Sequence, residues 1–229
     1  MINVVLCGYR QWAIDTFKEI QNHPRINVKH IVLSKEHFIE TFRSICPNDV
    51  DIVILLGWSW YVNTDILTNF KCVGIHPSDL PSFRGGSPIQ NQIIRGISKT
   101  KASLMSLSDR MDEGDVWLKK DLDLTGDSIE EIFANLVECS TLLLNEFFDN
   151  YSEISPEKQV IANGSYFKRR LPDDSKLLPS DFVERSPKEL YNFIRCLTDP
   201  YPNAYLEDSE GNRLIFTGVK YISNESKYD

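Results

Sequence analysis

Short apolar runs alternate with amphipathic or polar stretches through the first half of the chain. The runs are rich in Val, Ile and Leu, and they stand at 2–7, 28–33, 51–57 and 71–76. Continuous apolar runs of this length are typical of strands buried on both faces of a sheet. Between the first two runs, residues 11–21 place apolar side chains at helical spacing. This alternation predicts an α/β fold with a Rossmann-like, mostly parallel sheet and right-handed crossovers.

The same texture continues to about residue 150. Residues 88–95 predict a helix with proline in its first turn. Residues 102–107 and 116–121 predict two further strands, and 127–150 predict a long amphipathic helix. We therefore expect residues 1–150 to form the main domain.

The chain becomes polar and rich in turn-forming residues after position 150. Residues 151–186 are predicted to connect the main domain to a small C-terminal region, 187–229. That region holds an amphipathic helix at 187–197 and then a β-hairpin. Because two strands alone are marginal in water, the hairpin predicts a homodimer contact through the C-terminal region.

Charge and composition narrow the possible partners and compartments. The formal net charge is -8 and the pI is about 5.1, which lowers the expectation that the chain binds long nucleic acid. No apolar run is long enough to span a membrane, and the N-terminus lacks the features of a signal peptide. The five cysteines include no C-x-x-C pair, so we expect reduced thiols, no metal site and a cytoplasmic location.

Two loops concentrate the polar chemistry. The first, GIHPSDLPSFRGGSPIQ, carries His76 at the end of a predicted strand, where α/β sheets bind ligands. Gly85 and Gly86 allow its backbone to approach a ligand closely. The second loop, DRMDEGD, carries Asp112 and also follows a strand. We expect the two loops to converge if their strands are neighbours.

The pattern His-Pro-Ser-x-Leu-Pro-x-x-Arg-Gly-x-x-Pro-Ile, with Asp112 standing 36 residues after His76, resembles the folate-dependent formyltransferases. That family includes methionyl-tRNA formyltransferase, glycinamide ribonucleotide transformylase and the sugar N-formyltransferases. The resemblance runs from Ile2 to about Leu206. It implies formyl transfer from N10-formyltetrahydrofolate to an amine, with His76 and Asp112 as the catalytic residues.

The chemistry explains these residue types, and one position departs from the family pattern. Attack of an amine on a formyl carbon creates an oxyanion that needs a donor, and it releases a proton that a carboxylate can accept. The family has Asn two residues before the histidine, where this chain has Gly74. Candidate replacements for the lost amide are Ser78, Asp79, Tyr9 or a backbone N–H. A folate-binding homologue without activity is the alternative.

By the same resemblance, the donor lies between the 57–62 segment and the 108–112 loop. The implied donor contacts are Trp60, Tyr61, Val62, Met111 and Asp112. The candidate acceptor contacts are Tyr9, Arg10, Asp79, Arg84, Gly85, Gly86, Tyr166, Arg169 and Arg170. Simpler interpretations stay open: Arg84 pairs with a loop carboxylate, Arg169 and Arg170 form a solvated charge run, and Asp115 supports its loop.

Three features favour a nucleotide-linked amino sugar as the acceptor. GYR-x-WA at 8–13 and the aromatic-cationic SYFKRRLP segment resemble elements of the sugar enzymes, and little chain follows Pro202. Within that group, the sequence looks most like the enzymes that act on a UDP-4-amino-4,6-dideoxy sugar of the pseudaminic acid route. Methionyl-tRNA and a ribonucleotide are the alternative acceptors.

Overall fold

The computed structural model describes residues 1–224, and its first 150 residues form a layered α/β domain. The strands are β1 (Ile2–Cys7), β2 (Ile26–Val32), β3 (Ile52–Leu55), β4 (Cys72–His76), β5 (Arg84–Gly85), β6 (Lys99–Ser106) and β7 (Val116–Asp123). The helices are α1 (Gln11–Ile20), α2 (Lys35–Ser44), α3 (Thr64–Asn69), α4 (Pro88–Ile94) and α5 (Ile129–Asp149).

Six of these strands form the central sheet, in the order β2-β1-β3-β4-β6-β7. The first four are parallel, whereas β6 runs antiparallel to β4, and β7 antiparallel to β6. The carboxyl ends of β1, β3 and β4 therefore meet at one edge, where β4 ends in His76. The predicted Rossmann-like, mostly parallel sheet is confirmed.

Separate hydrophobic cores cover the two faces of the sheet. On one face, α1, α4 and α5 pack over the strands around Phe17, Ile93 and Phe147. On the other, α2 and α3 cover a smaller core around Phe38 and Phe70. We call these the α5 face and the α2 face. Alternate side chains of each buried strand enter opposite cores, which explains the continuous apolar runs in the sequence.

The antiparallel β6 changes how the second polar loop reaches the first. The loop after β6 begins beside the amino end of β4, since the amide of Leu107 donates to the carbonyl of Cys72 at 2.8 Å. His76 lies at the opposite end of that strand. The loop must therefore reach back toward His76, and it returns to start β7 where the Ser106 amide donates to the Asp115 carbonyl.

Residues after 150 attach closely to the main domain. They contain β8 (Tyr166–Phe167), α6 (Asp181–Glu184), α7 (Pro187–Arg195), β9 (Ala204–Glu207) and β10 (Arg213–Phe216). β8 pairs in parallel with β5, α7 packs against α4, and β9 and β10 form an antiparallel hairpin. The 151–186 segment thus supplies one strand, β8, beside the loop that follows β4. The division at 150 and 186 stays a prediction, and 225–229 lie outside the described residues.

Two helices of the first 150 residues, α2 and α3, were not predicted from the sequence. The Oγ of Ser34 accepts the amide of His37 at the start of α2, and the side chain of Asn63 accepts the amide of Asp65 at the start of α3. Both are N-cap contacts made by residue types that commonly begin a helix. Each helix buries few residues, so its apolar side chains do not follow a clear helical spacing in the sequence.

The structure also shows the state of the cysteines, the hydropathy of the helices and the grouping of metal-ligating side chains. All five cysteines are free, and burial raises the pKa of the Cys72 and Cys196 thiols to about 12. Between residues 1 and 224, no helix combines the length and hydropathy that a membrane crossing requires. In the same range, no group of three or more His, Cys, Asp or Glu side chains is placed to hold a metal ion.

Candidate active site

The imidazole of His76 is held at the end of β4 and is 6% exposed. Its Nε2 lies 2.8 Å from the carbonyl oxygen of Phe83, so this nitrogen carries a hydrogen and donates it. Its Nδ1 lies 3.6 Å from Oδ2 of Asp112. The ring is thereby oriented by the backbone on one side and directed at a carboxylate on the other.

Asp112 joins the two polar loops. Its Oδ2 accepts the Gly85 amide at 2.7 Å, and its main-chain carbonyl accepts Nε2 of Gln159 at 2.9 Å. Its backbone is left-handed, with φ of 57°. Gly114 permits the tight return of this loop, because a Cβ there would lie 1.8 Å from the Ser106 carbonyl oxygen. The predicted convergence of the two loops is confirmed, although the second loop arrives from the far end of β4.

A cleft of about 880 Å³ opens around His76 and Asp112. One end is lined by residues that belong to or pack on the α2-face core, namely Leu55, Trp58, Val62 and Leu107. The other end is lined by residues of the α5-face core and its margin, namely Trp12, Ile89, Phe133, Leu136, Leu197 and Tyr201. The cleft therefore extends across the sheet edge, with the histidine-aspartate pair between two chemically distinct ends.

The α2-face end is aromatic. The Trp60 ring centroid lies 4.3 Å from that of Tyr9 and 4.8 Å from that of Trp58, and Trp58 packs on Phe38. All five residues predicted to contact the donor line this cleft: Trp60, Tyr61, Val62, Met111 and Asp112. Tyr9 supports Trp60 from behind and is not among the lining residues.

The α5-face end is cationic at its rim. Arg10, Arg169 and Arg170 line it, in an acidic chain. The Arg10 guanidinium carbon lies 5.0 Å from the Tyr9 ring centroid and 6.0 Å from that of Tyr201. Arg170 is partly committed to structure: it donates to the Asp174 carbonyl, and burial lowers the pKa of its guanidinium. Arg10 and Arg169 are the cations with the freest access to the cleft.

The paired glycines allow the 166–170 segment, which includes β8, to pack closely against the loop that follows β4. A Cβ on Gly85 would lie 2.2 Å from the Phe167 carbonyl oxygen, and one on Gly86 would lie 2.2 Å from Cα of Arg169. These contacts follow from the β5–β8 pairing. Tyr166 lines the cleft from the same strand, with its hydroxyl near the sulfur of Met111. The glycines thus position Tyr166 and Arg169 at the cleft.

Three predicted acceptor contacts lie outside the cleft lining: Tyr9, which packs on Trp60, and also Arg84 and Asp79. Arg84 is buried and pairs with Glu113, Nη1 to Oε1 at 2.6 Å, so the alternative of a loop carboxylate partner holds. Asp79 accepts Nζ of Lys119 at 2.6 Å. The Arg84 and Asp79 side chains are therefore held by ion pairs, Arg84 to the second polar loop and Asp79 to β7. A sequence motif does not reveal such pairing.

Gly74 also lines the cleft, but the space beside it is partly filled. A Cβ there would lie 2.9 Å from the Leu55 carbonyl oxygen and 3.0 Å from Cδ1 of Leu107. Two suggested replacements for the family amide are engaged elsewhere: the Ser78 hydroxyl donates to the Ser82 carbonyl, and Asp79 faces Lys119. Among the polar side chains near Asp112, His76 is the one that directs a ring nitrogen at the carboxylate.

The sequence did not indicate three residues of the site. Gln159 holds the backbone of the Asp112 loop, Tyr201 lines the α5-face end, and Gln90 lies beside it on α4. Gln90 falls inside the recognised motif, yet nothing in its spacing indicates that its amide faces a cleft. Gln159 and Tyr201 lie in segments without a local pattern.

Gly85→Ala is expected to destabilise the protein more than Gly211→Ala does. Both glycines have left-handed backbones, with φ of 92° and 86°, so both substitutions add similar strain. Only Gly85 also meets a neighbouring strand; the space around Gly211 is open within 4 Å. Overpacking should add about 1–3 kcal/mol to the loss at Gly85. Urea unfolding of both variants measures the difference, and equal losses would contradict the tight β5–β8 contact.

Comparisons with known proteins agree with this geometry. The family model described as "Formyl transferase" matches residues 7–163. Methionyl-tRNA formyltransferase from Sulfurimonas denitrificans is 26% identical over 188 residues, which cover 82% of this chain and 60% of that protein. The chain therefore spans less than two thirds of the length of that relative.

Solved structures share the fold. Methionyl-tRNA formyltransferase from Clostridium thermocellum superposes with a TM-score of 0.77 and 29% identity, covering 94% of this chain and 97% of that one. A 4-N formyltransferase from Francisella tularensis gives a TM-score of 0.74 at 16% identity, covering 97% and 98%. With the family model matching more than half of its length, and with the His76–Asp112 pair in its cleft, the chain belongs to the formyl transferase family.

Proposed function

We propose that this protein transfers a formyl group from N10-formyltetrahydrofolate to the amino group of a nucleotide-linked amino sugar. The observation that carries the proposal is the buried His76–Asp112 pair between an aromatic end and a cationic end of one cleft. Two substrates with different chemistry would meet at that pair. The finer proposal, from the sequence resemblance, is a UDP-4-amino-4,6-dideoxy sugar of the pseudaminic acid route.

The residues of the α2-face end fit a reduced folate. Trp58, Trp60 and Val62 offer apolar and aromatic surface for a flat heterocycle, and the Trp58 Nε1 is buried without a hydrogen-bond partner among residues 1–224. Such a donor suits a polar heteroaromatic edge. When bound, the donor would supply an activated formyl group: the amine would add to its carbon, and tetrahydrofolate would leave as the N10–C bond breaks and N10 takes up a proton.

Asp112 is placed to accept the proton that the attacking amine loses. Its carboxylate already accepts the Gly85 amide through Oδ2 at 2.7 Å. The second oxygen remains available for a proton or a relaying water. Because Gln159 fixes the backbone beneath it, the carboxylate is preorganised rather than mobile.

His76 is placed to donate to the developing oxyanion through Nδ1. Nε2 already donates to the Phe83 carbonyl, so Nδ1 becomes a donor only when the ring is an imidazolium. The Asp112 carboxylate lies 3.6 Å from this nitrogen. With Gly74 offering no amide, this charge-assisted donor has to provide more of the oxyanion stabilisation than in relatives with asparagine.

The α5-face end fits an anionic acceptor with an apolar part. Arg10 and Arg169 provide guanidinium groups at the rim, a chemistry suited to phosphate oxygens. Trp12, Phe133 and Tyr201 provide the apolar surface deeper in. A diphosphate-linked deoxy sugar combines these two properties.

A charged initiator tRNA is the second candidate acceptor. The sequence relatives reported above are methionyl-tRNA formyltransferases, which favours this alternative. The net charge of -8 argues against a large polyanion, because tRNA binding depends strongly on neutralising phosphates.

A panel of amines tests the proposed function. The protein is incubated with N10-formyltetrahydrofolate and UDP- or dTDP-linked amino sugars, or with charged initiator tRNA, and the formylated product is measured by mass spectrometry. Product from an amino-sugar nucleotide is expected. Exclusive formylation of the tRNA would transfer the proposal to the second acceptor, and folate binding without any turnover would indicate an inactive homologue.

His76→Ala and Asp112→Asn are expected to lower kcat by about 10²–10⁴-fold while leaving folate binding near its wild-type level. Each change removes a group that acts in the transition state. Asp49→Asn, an exposed substitution away from the cleft lining, is the matched control and should retain wild-type turnover. Near-normal kcat in either active-site variant would remove that residue from the mechanism.

The terminal hairpin supports a homodimer proposal. Leu214 and Ile215 of β10 are 62% and 54% exposed, and within residues 1–224 this strand pairs only with β9. A second copy would cover both side chains and the open strand edge. Light scattering should give about twice 26.4 kDa for the wild type. Leu214→Glu with Ile215→Glu should give a monomer, unlike the control Leu142→Glu on α5; a monomeric wild type would disprove the contact.

A further inference from the structure

Gln90 is a buried amide whose Nε2 makes no close hydrogen bond. It lies in the first turn of α4, is 4% exposed and lines the cleft. Among the described residues its Nε2 has no close acceptor, and the side chain interacts only more loosely with that of Tyr201. A buried donor that is left unpaired lowers stability, so one that faces a binding cleft points to a ligand that supplies the missing acceptor.

The neighbouring glutamine on the same helix shows the contrast. Gln92 is 1% exposed, and its Nε2 donates to the carbonyls of Pro77 and Pro88 at 2.8 and 3.0 Å. Asn91 likewise donates to the carbonyl of Gly86 at 2.9 Å. These two amides fasten the loop between β4 and α4. Gln90 makes no such contact through Nε2, so its amide is not explained by holding that loop.

The surroundings of Gln90 identify which substrate it faces. Burial raises the pKa of the Tyr201 phenol, and three groups partly offset that rise: the charge of Arg10, a hydrogen-bonding interaction with the Gln90 side chain, and the charge of Arg169. Gln90, Tyr201, Arg10 and Arg169 therefore form one polar neighbourhood. Its apolar neighbours, such as Ile89 and Phe133, belong to the α5-face core or pack on it. Of the residues that fit the folate, Val62 belongs to the opposite core and Trp58 packs against it.

We infer that Gln90 is a specificity-determining residue whose Nε2 donates to an uncharged oxygen of the acceptor. The inference rests on the proposed function, in which Arg10 and Arg169 bind the phosphates. An acceptor oxygen of this kind is a sugar hydroxyl or a carbonyl of the nucleobase. The amide confers selectivity because a ligand without that oxygen would leave Nε2 buried and unpaired in the complex.

Gln90→Met and Gln92→Met form a matched pair for testing this role. Methionine is similar in length and volume but has no amide. In Gln90→Met, the Tm should stay near that of the wild type, since the amide that is removed makes no close hydrogen bond through Nε2. The Kd for the UDP-amino sugar should rise about tenfold. The Kd for the folate and kcat should stay near wild-type values, as expected for lost ground-state binding.

Gln92→Met should show the opposite pattern. It leaves the carbonyls of Pro77 and Pro88 without their donor, so its Tm should fall. Calorimetric titration with UDP alone then locates the oxygen in Gln90→Met. Weaker UDP binding assigns a nucleobase oxygen, and unchanged UDP binding with weaker binding of the whole sugar nucleotide assigns a sugar hydroxyl; either result supports the inference.

The inference is overturned if Gln90→Met melts as low as Gln92→Met and binds the acceptor as tightly as the wild type. That pattern would mean a structural amide. Binding to the wild-type protein identifies the acceptor class. The ratio of the acceptor Kd of Gln90→Met to that of the wild type tests the role of Gln90. If the wild type binds charged tRNA instead of sugar nucleotides, the proposed function fails, and an unchanged ratio measured with that tRNA overturns the inference separately.

Discussion

The Asp112 carboxylate is the constraint on which the active site depends. It accepts the Gly85 amide at 2.7 Å and faces Nδ1 of His76 at 3.6 Å, so it joins the loop after β4 to the loop after β6. Gln159 holds its backbone from a third segment. If this carboxylate were displaced, the imidazole would lose its neighbour on the Nδ1 side, and Gly85 of β5 would lose its acceptor. The orientation of the ring and the joining of the two loops therefore depend on one group, to which we also assign the proposed proton transfer.

The sheet topology explains why three distant segments are needed. In an all-parallel sheet, loops after neighbouring strands start at the same edge. Here β6 is antiparallel to β4, so the Asp112 loop starts at the wrong end and has to be drawn back. The 151–186 segment assists by placing Gln159 behind the loop and β8 beside β5. The cleft is thus assembled from both cores and from a segment that carries little secondary structure of its own.

Much of this was predictable because buried parallel strands produce continuous apolar runs, and because the His76 motif contains its own glycine and proline constraints. The β5–β8 pair was not predictable, since two-residue strands 80 positions apart have no periodicity. Arg84 illustrates a different limit. A motif identifies residue types, but the ion pair with Glu113 that removes this side chain from the cleft depends on a loop 29 residues away. Gln90 was hidden for the converse reason, because burial on a short helix has no distinctive spacing.

The close contact between β3 and β4 at Gly74 has a consequence for how this lineage can change. A side chain at that position would meet the Leu55 carbonyl at 2.9 Å and the Leu107 methyl at 3.0 Å. An asparagine introduced at position 74 would therefore clash with both groups, and it would fit only together with a change at Leu107 or a shift of the strands. The two positions are coupled through this contact. Supplying the family amide to this chain is thus a matter of two substitutions rather than one.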